Sequence, residues 1–167
     1  MIGVSPNPVL SKNVALCALR PADAEIAAQT IRAAFLAQRL STCPPSSALG
    51  ETAETVAAKI ATGCGFGVFS EEKLAAVALW RLDDGVFLIS RVCVLPSARG
   101  PGMARMLMAA CQAEAGRLGA VRMRLRARLE LPENERMFER FGFQRVRVEA
   151  HAGFDQPTTA VTEKPLS

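Results

Sequence analysis

The sequence predicts an α/β (α+β) fold, a mixed, mostly antiparallel central sheet with helices on both faces, in the order β-α-α-β-β-β-α-β-α-β-β. Three observations predict it. Three strand-like runs lie between Phe66 and Leu95 with only short turns between them, as antiparallel hairpins do. The last of these, Val86 to Leu95, is nearly all apolar, as a strand covered on both faces must be. A helical stretch then separates it from another strand, so those two strands run parallel with a right-handed crossover.

Taken in order, Asn13 to Arg20 alternates weakly and reads as a strand. Pro21 and Asp23 open a helix with Ile26, Thr30, Ile31, Ala34 and Phe35 on one face. A second helix runs from about Thr52 to Thr62, with Ala53, Val56, Ala57 and Ile60 as its apolar stripe and Gly63 as its cap. Phe66 to Phe69 and Leu74 to Trp80 are strands joined by a turn at Ser70–Lys73, and Asp83-Asp84-Gly85 makes the next hairpin turn. A helix from about Gly102 to Leu118 turns Met103, Met106, Leu107, Ala110, Cys111 and Leu118 to one side, and Gly119 ends it. Val121 to Arg128 alternates strictly. Pro132 suits the first turn of a helix reaching Phe141, and Phe143 to Val148 and Thr158 to Thr162 close the chain as strands.

The chain has 167 residues, of which 50% are hydrophobic and 22% charged. That is one domain's length, and the composition excludes a disordered chain. Residues 1–12 read as a loose arm and residues 13–167 as the domain. No apolar run approaches the roughly 20 residues of a membrane helix, and no basic patch leads into an apolar stretch at Met1 to Lys12, so a cytoplasmic protein without membrane attachment is expected. The five cysteines, Cys17, Cys43, Cys64, Cys93 and Cys111, form no CxxC pair and stand in apolar surroundings. They read as reduced, buried small hydrophobes, with no metal site. The net charge of +4 allows an anionic small ligand without requiring nucleic acid.

The segment that carries chemistry is Val92 to Ala104. A buried strand ends, a glycine-bearing turn follows and a helix begins. Free N–H groups at a helix start, with the positive end of its dipole, bind phosphate oxygens. Gly100 and Gly102 permit close backbone approach, Arg99 adds a positive charge, and Pro101 preorganises the first helical turn. No Gly-Lys-Ser/Thr follows, so a nucleotide P-loop is excluded; the third glycine and the acidic residue of a dinucleotide fingerprint are absent.

With Val94-Leu95-Pro96 before it, Arg99-Gly100-Pro101-Gly102-Met103-Ala104 resembles the Arg-x-x-Gly-x-Gly/Ala acyl-CoA loop of the GNAT N-acetyltransferase superfamily. The order of elements is also that family's. Met137-Phe138-Glu139-Arg140-Phe141-Gly142-Phe143 resembles its second CoA-contacting helix with the following strand, and Ala160 to Leu166 its last strand. The resemblance spans about residues 13 to 166. It implies an acetyl-CoA-dependent N-acetyltransferase that moves acetyl directly to an amine of a small molecule or peptide. It further implies a V-shaped opening between the strands Val86–Leu95 and Val121–Arg128. Pantetheine would pair with Val92, Cys93 and Val94, and the pyrophosphate would sit on the amides of Gly100, Pro101, Gly102, Met103 and Ala104 (Pro101 itself lacking an N–H), beside Arg99. The resemblance admits a homodimer.

The chain departs from that pattern in three places. Where the family often has a tyrosine that protonates the leaving thiolate stands Phe138, and the chain contains no tyrosine. Where it often has an asparagine stands Leu131; Asn134, one turn later, is either a substitute CoA contact or an exposed polar residue. The usual strand glutamate is missing, since no Asp or Glu occurs from Gly85 to Ala113. A base would come from Asp83, Asp84, Glu130, Glu133 or His151, the only histidine and the side chain whose ordinary pKa is nearest neutrality. Arg122, Arg124, Arg126 and Arg128 form either a solvated strand face or, with Arg91, contacts to CoA phosphates or an acidic acceptor. With no aromatic residues interleaved, they do not read as a nucleic-acid platform. The missing acid and base also fit a different class of protein, a catalytically weak acyl-CoA-binding module.

Overall fold

The computed structural model describes residues 13–62, 64–99 and 102–167. The expected arm at 1–12, the Gly63 cap and two loop residues, Gly100 and Pro101, lie outside these. The elements are β1 (Val14–Ala18), α1 (Ala24–Leu36), α2 (Ala53–Thr62), β2 (Cys64–Ser70), β3 (Lys73–Asp83), β4 (Val86–Val94), α3 (Met103–Arg117), β5 (Arg122–Arg128), α4 (Pro132–Arg140), β6 (Gln144–Glu149) and β7 (Thr159–Pro165). Short 3-10 turns at Pro21–Asp23, Ser47–Gly50 and Pro96–Ala98 lead into helices or follow strands.

The strands form one sheet in the order β1-β2-β3-β4-β5-β7-β6. Every pairing is antiparallel except β4 with β5. Both hairpin turns have positive φ at their two central residues, +50° and +66° at Glu71 and Glu72, +46° and +75° at Asp84 and Gly85. This handedness matches the right-handed twist of the strands, whose registers shift only near Val68–Phe69 and Val77–Leu79.

Alternation in the strands sends side chains to two cores. On one face Ala76, Ala78, Phe87, Ile89, Met123, Leu125 and Ala127 pack with Leu107, Met108, Cys111 and Ala115 of α3 and Phe138 of α4. On the other, Leu74, Val77, Leu79 and Cys93 pack with Ala27, Ala28, Ile31 and Ala34 of α1 and Val56 and Ile60 of α2. Two sequence expectations fail here. Ile26 is 42% exposed, because the small residues Ala24, Ala27, Ala28 and Ala34 form the buried stripe of α1 instead. Cys17 and Cys43 are exposed and Cys64 is half-buried rather than buried, and all five cysteines are free. Among the described residues no helix is long and apolar enough to cross a membrane.

Candidate active site

Two irregularities in β4 shape the site. The first is where it leaves β5. The parallel pairing consists of Val86 with Arg122, Phe87 with Met123 and Leu88 with Arg124, and it stops there. β4 then continues to Val94 beside β3, and β5 to Arg128 beside β7, no longer paired with each other, and an opening forms between them. The second is a bulge. Leu79 of β3 faces Ser90 and Val77 faces Cys93, so one residue of β3 opposes two of β4, Arg91 and Val92. Arg91 takes φ of +56° there, a conformation that costs a side chain with a Cβ energy and re-aims it.

What sets Arg91 is a network at the start of α2. Its Nε donates to Glu51 at 2.9 Å and its Nη2 to Ser47 Oγ at 3.0 Å. Glu51, only 3% exposed, also accepts from Lys59 and from the Thr55 hydroxyl. Burial pushes its carboxyl up, but the hydrogen bonds from Lys59, Thr55 and Arg91 outweigh this and hold it below its ordinary value. No motif in the sequence marks Glu51, whose partners come from 8 and 40 residues away.

The opening holds two joined cavities, which share Phe35, Gln38, Val92, Leu131, Asn134 and Met137 in their walls. The first, about 470 Å³, is bounded by Val92, Cys93, Val94, Arg99 and Ala104 with α1 and α4. The second, about 300 Å³, is bounded by Ser47, Arg91, Arg126, Arg128, Phe138, His151 and Thr159.

The first cavity presents backbone donors. Leu95 N–H donates to the Ala75 carbonyl across β3 at 2.8 Å. Strand alternation therefore turns the N–H and C=O of Val94, and two residues back those of Val92, to the unpaired side. At the mouth, α3 starts on Gly102, whose φ of +122° only glycine adopts readily and which caps the helix with no side chain. The first intrahelical bond runs from Met106 N–H to the Gly102 carbonyl at 2.8 Å. The amides of Met103, Ala104 and Arg105 precede it and have no acceptor within the helix among the described residues, which leaves them suited to an anion. Arg99 is exposed and donates through Nε to the Val94 carbonyl at 3.3 Å, so its guanidinium folds back along the cavity wall.

Other expected residues distribute less evenly. Asn134 borders both cavities, and its side-chain amide makes no hydrogen bond among the described residues. Phe138 lies in the core against Phe143 and reaches only the second cavity, away from Arg99. Met103 packs its side chain against the core, leaving only its amide for the mouth. The Cys93 side chain is buried, and burial pushes its thiol up to about 12, so it stays protonated and is no nucleophile. Among the described residues no group of three or more His, Cys, Asp or Glu is placed to hold a metal.

The candidate bases separate clearly. Asp83 and Asp84 sit at the β3–β4 turn, at the paired end of β4, and border neither cavity. Glu133 borders the first cavity but takes the Arg39 guanidinium at 2.9 Å, which holds its carboxyl below the ordinary range and makes it a poorer base. Glu130 is spent on the Cys43 N–H at 3.0 Å and on Arg128. His151 does border the second cavity. Its Nδ1 lies 2.5 Å from Thr158 Oγ1, which in turn lies 3.4 Å from the Glu149 carbonyl. In the tautomer where Nδ1–H donates to Thr158, Nε2 is left as a proton acceptor. Thr158 was not marked by any sequence pattern.

The arginine row also divides. Arg124 pairs with Glu163 at 2.6 Å, and Arg122 approaches the same carboxylate at 3.9 Å, both away from the opening. Arg126 and Arg128 line the second cavity.

A sequence profile of the acetyltransferase (GNAT) domain matches residues 55–145. The chain belongs to the GNAT acetyltransferase family. No curated protein matches the sequence. Solved structures share the fold at low identity. The ribosomal-protein-S18-alanine N-acetyltransferase of Escherichia coli superposes with a TM-score of 0.74 at 16% identity, over 92% of this chain and 94% of that one. The PaiA N-acetyltransferase of Thermoplasma acidophilum, solved in complex with coenzyme A, gives 0.75 at 15% identity over 92% and 99%. An N-acetyltransferase of Staphylococcus aureus Mu50 gives 0.72 at 16% identity over 93% and 100%. In this chain the sheet is mostly antiparallel, and the parallel β4–β5 junction is where the strands part.

Proposed function

We propose that residues 13–167 act as a single acyl-CoA N-acyltransferase domain, moving an acetyl group directly from acetyl-CoA to an amine of a small molecule or peptide. The observation that supports this most is the open edge of β4 beyond Leu88, ending on the uncapped start of α3, in a chain of the GNAT family.

Acetyl-CoA supplies the activated thioester. The amide groups of Val92 and Val94 suit pantetheine, which would extend the sheet as an added strand does. The free amides of Met103 and Ala104 and the Arg99 guanidinium suit the pyrophosphate; Gly100 and Pro101 join them from the sequence pattern. Asn134 has an unused amide facing the same channel. The acceptor would occupy the second cavity. As its nitrogen bonds to the acetyl carbon and the C–S bond breaks, the nitrogen's proton passes to His151 Nε2, directly or through one water, with Thr158 holding the ring. Phe138 offers no hydroxyl, so the thiolate takes a proton from solvent. A thiol of ordinary pKa about 8.5 makes this a penalty of about 2 kcal/mol near neutral pH, which transfer can bear.

One observation favours a second reading, a catalytically weak acyl-CoA-binding module. No Asp or Glu borders the second cavity, and Phe138 supplies no acid. Calorimetric titration with CoA tests what both readings share. Thiol release against an amine panel separates them: release above the hydrolysis background supports the enzyme, and tight CoA binding without such release supports the module.

A further inference from the structure

We infer that the second cavity is built to hold an amine that also carries a carboxylate, recognised by Arg128 and Arg126. This rests on the proposed acetyl transfer and names the class of acceptor. The observation that carries it is an unused donor. Arg128 ends β5 with its side chain 15% exposed, and its Nη2 donates to Glu130 at 3.0 Å. Its Nε is buried and has no hydrogen-bond partner. A buried guanidinium N–H left unpaired is costly, and a guanidinium presents its donors as a fork matched to two carboxylate oxygens. Nε itself is sealed from the cavity, but the Nη1 end of the same fork has no protein partner among the described residues, and a ligand carboxylate in the cavity that Arg128 borders can meet it there.

The charge around the cavity agrees. Arg126 stands two residues before Arg128, on the same face of β5, and donates only Nε, to Glu149 at 3.4 Å. Glu149 is shared with Arg147, and Glu51 is shared between Arg91 and Lys59. Of the cations in these pairs Arg91, Arg126 and Arg128 border the cavity, whereas their partners Glu51, Glu149 and Glu130 do not, so the charge presented to a ligand is positive. No Asp or Glu borders the cavity itself to attract a purely cationic acceptor. His151 borders the same space, so an amine whose carboxylate is held by Arg128 has its nitrogen in the cavity where a proton acceptor stands.

The test compares matched amines on the unaltered protein. Free L-amino acids are set against their primary amides, and the peptide Ala-Asp-amide against Ala-Asn-amide, in acetyl-CoA-dependent thiol release. The carboxylate member of a pair should show kcat/KM higher by about tenfold or more, the worth of one charge-assisted hydrogen bond. Preference within the first set marks a small amino acid as the source of the carboxylate; preference within the second marks an acidic peptide. Arg128→Gln should abolish the preference mainly through KM, and Arg128→Lys should restore part of it. Because turnover could fail for other reasons, calorimetry with N-acetyl-L-alanine, N-acetyl-L-alaninamide, acetyl-Ala-Asp-amide and acetyl-Ala-Asn-amide, each with CoA present, reads the same discrimination without chemistry. CoA binding without turnover would count against the proposed enzyme and leave the product preference to decide this inference. Equal or tighter binding of the neutral member in both product pairs, or equal kcat/KM in both acceptor sets, overturns it.

Discussion

Leu88 of β4 and Arg124 of β5 are the last residues to face each other across the parallel junction of the sheet. Beyond that pair neither strand's facing edge is satisfied by the other. Buried backbone groups are nearly always paired, so an unpaired strand edge inside a fold is a place for something else to bind. The bulge at Arg91–Val92 bends β4 within this gap, and α3 starts at its end.

The mouth of that gap is tested at Arg99 and Gly102. Arg99→Ala should weaken CoA by about 1.5–3 kcal/mol, the worth of a hydrogen bond to a charged group. Gly102→Val should weaken CoA more and also cost about 1–2 kcal/mol of stability, since φ of +122° is unfavourable for any residue with a Cβ, even though open space surrounds the position. Calorimetric titration and urea denaturation read the two effects separately.

His151 and Thr158 should act together. His151→Ala should lower turnover by about 10²-fold with CoA affinity unchanged, and the pH–rate profile should lose one limb. Thr158→Val removes the partner of Nδ1. It should therefore lower kcat in the same direction but less, and combining it with His151→Ala should add nothing further. Parental turnover with an unaltered profile in His151→Ala would return this histidine to an ordinary surface loop residue.

Glu51 is one of the carboxylates on which acid stability depends. Its carboxyl is held below its ordinary value of 4.5, with burial opposing and Lys59, Thr55 and Arg91 prevailing. A carboxyl lowered in the folded state contributes stability above its unfolded value and loses it as pH falls through the folded one. Urea midpoints should therefore drop as pH falls below about 4.5, and more gently in Glu51→Gln. Glu51→Ala, which leaves Arg91 without its anion, should cost about 3 kcal/mol at neutral pH and disturb the bulge.

Phe138→Tyr should keep CoA affinity and raise turnover where thiolate departure limits the rate, because Phe138 already borders the second cavity. The check is kcat across acceptors of differing basicity. A fall in kcat with every acceptor would show that the ring serves only packing against Phe143.

The order of elements was legible because each carries its own period or turn: the apolar run of Val86 to Leu95, the Asp84-Gly85 turn, the Pro132 helix start. The strand–turn–helix at Arg99 to Ala104 was legible for the same reason, being local. What escaped was set by tertiary partners. The Arg91 bulge depends on Glu51, 40 residues away. The four arginines of β5 are chemically alike in sequence, and only Glu163 and the parting of the strands divide Arg122 and Arg124 from Arg126 and Arg128. Ile26 has an apolar side chain on a helix, but small alanines let α1 pack close to the sheet on another stripe. Sequence already marked His151 as the lone histidine among the candidate bases, and its place on the second cavity set it further apart from Asp83, Asp84, Glu130 and Glu133.

The most direct measurement of acetyl transfer is acetyl-CoA-dependent thiol release with a broad amine panel, each product identified by mass. The account predicts that at least one amine raises thiol release well above hydrolysis with stoichiometric N-acetylated product, and that Gly102→Val and His151→Ala both suppress it, only the former through CoA binding. CoA binding at the wild-type cleft with no amine acetylated would contradict the proposed enzyme and leave a CoA-binding module.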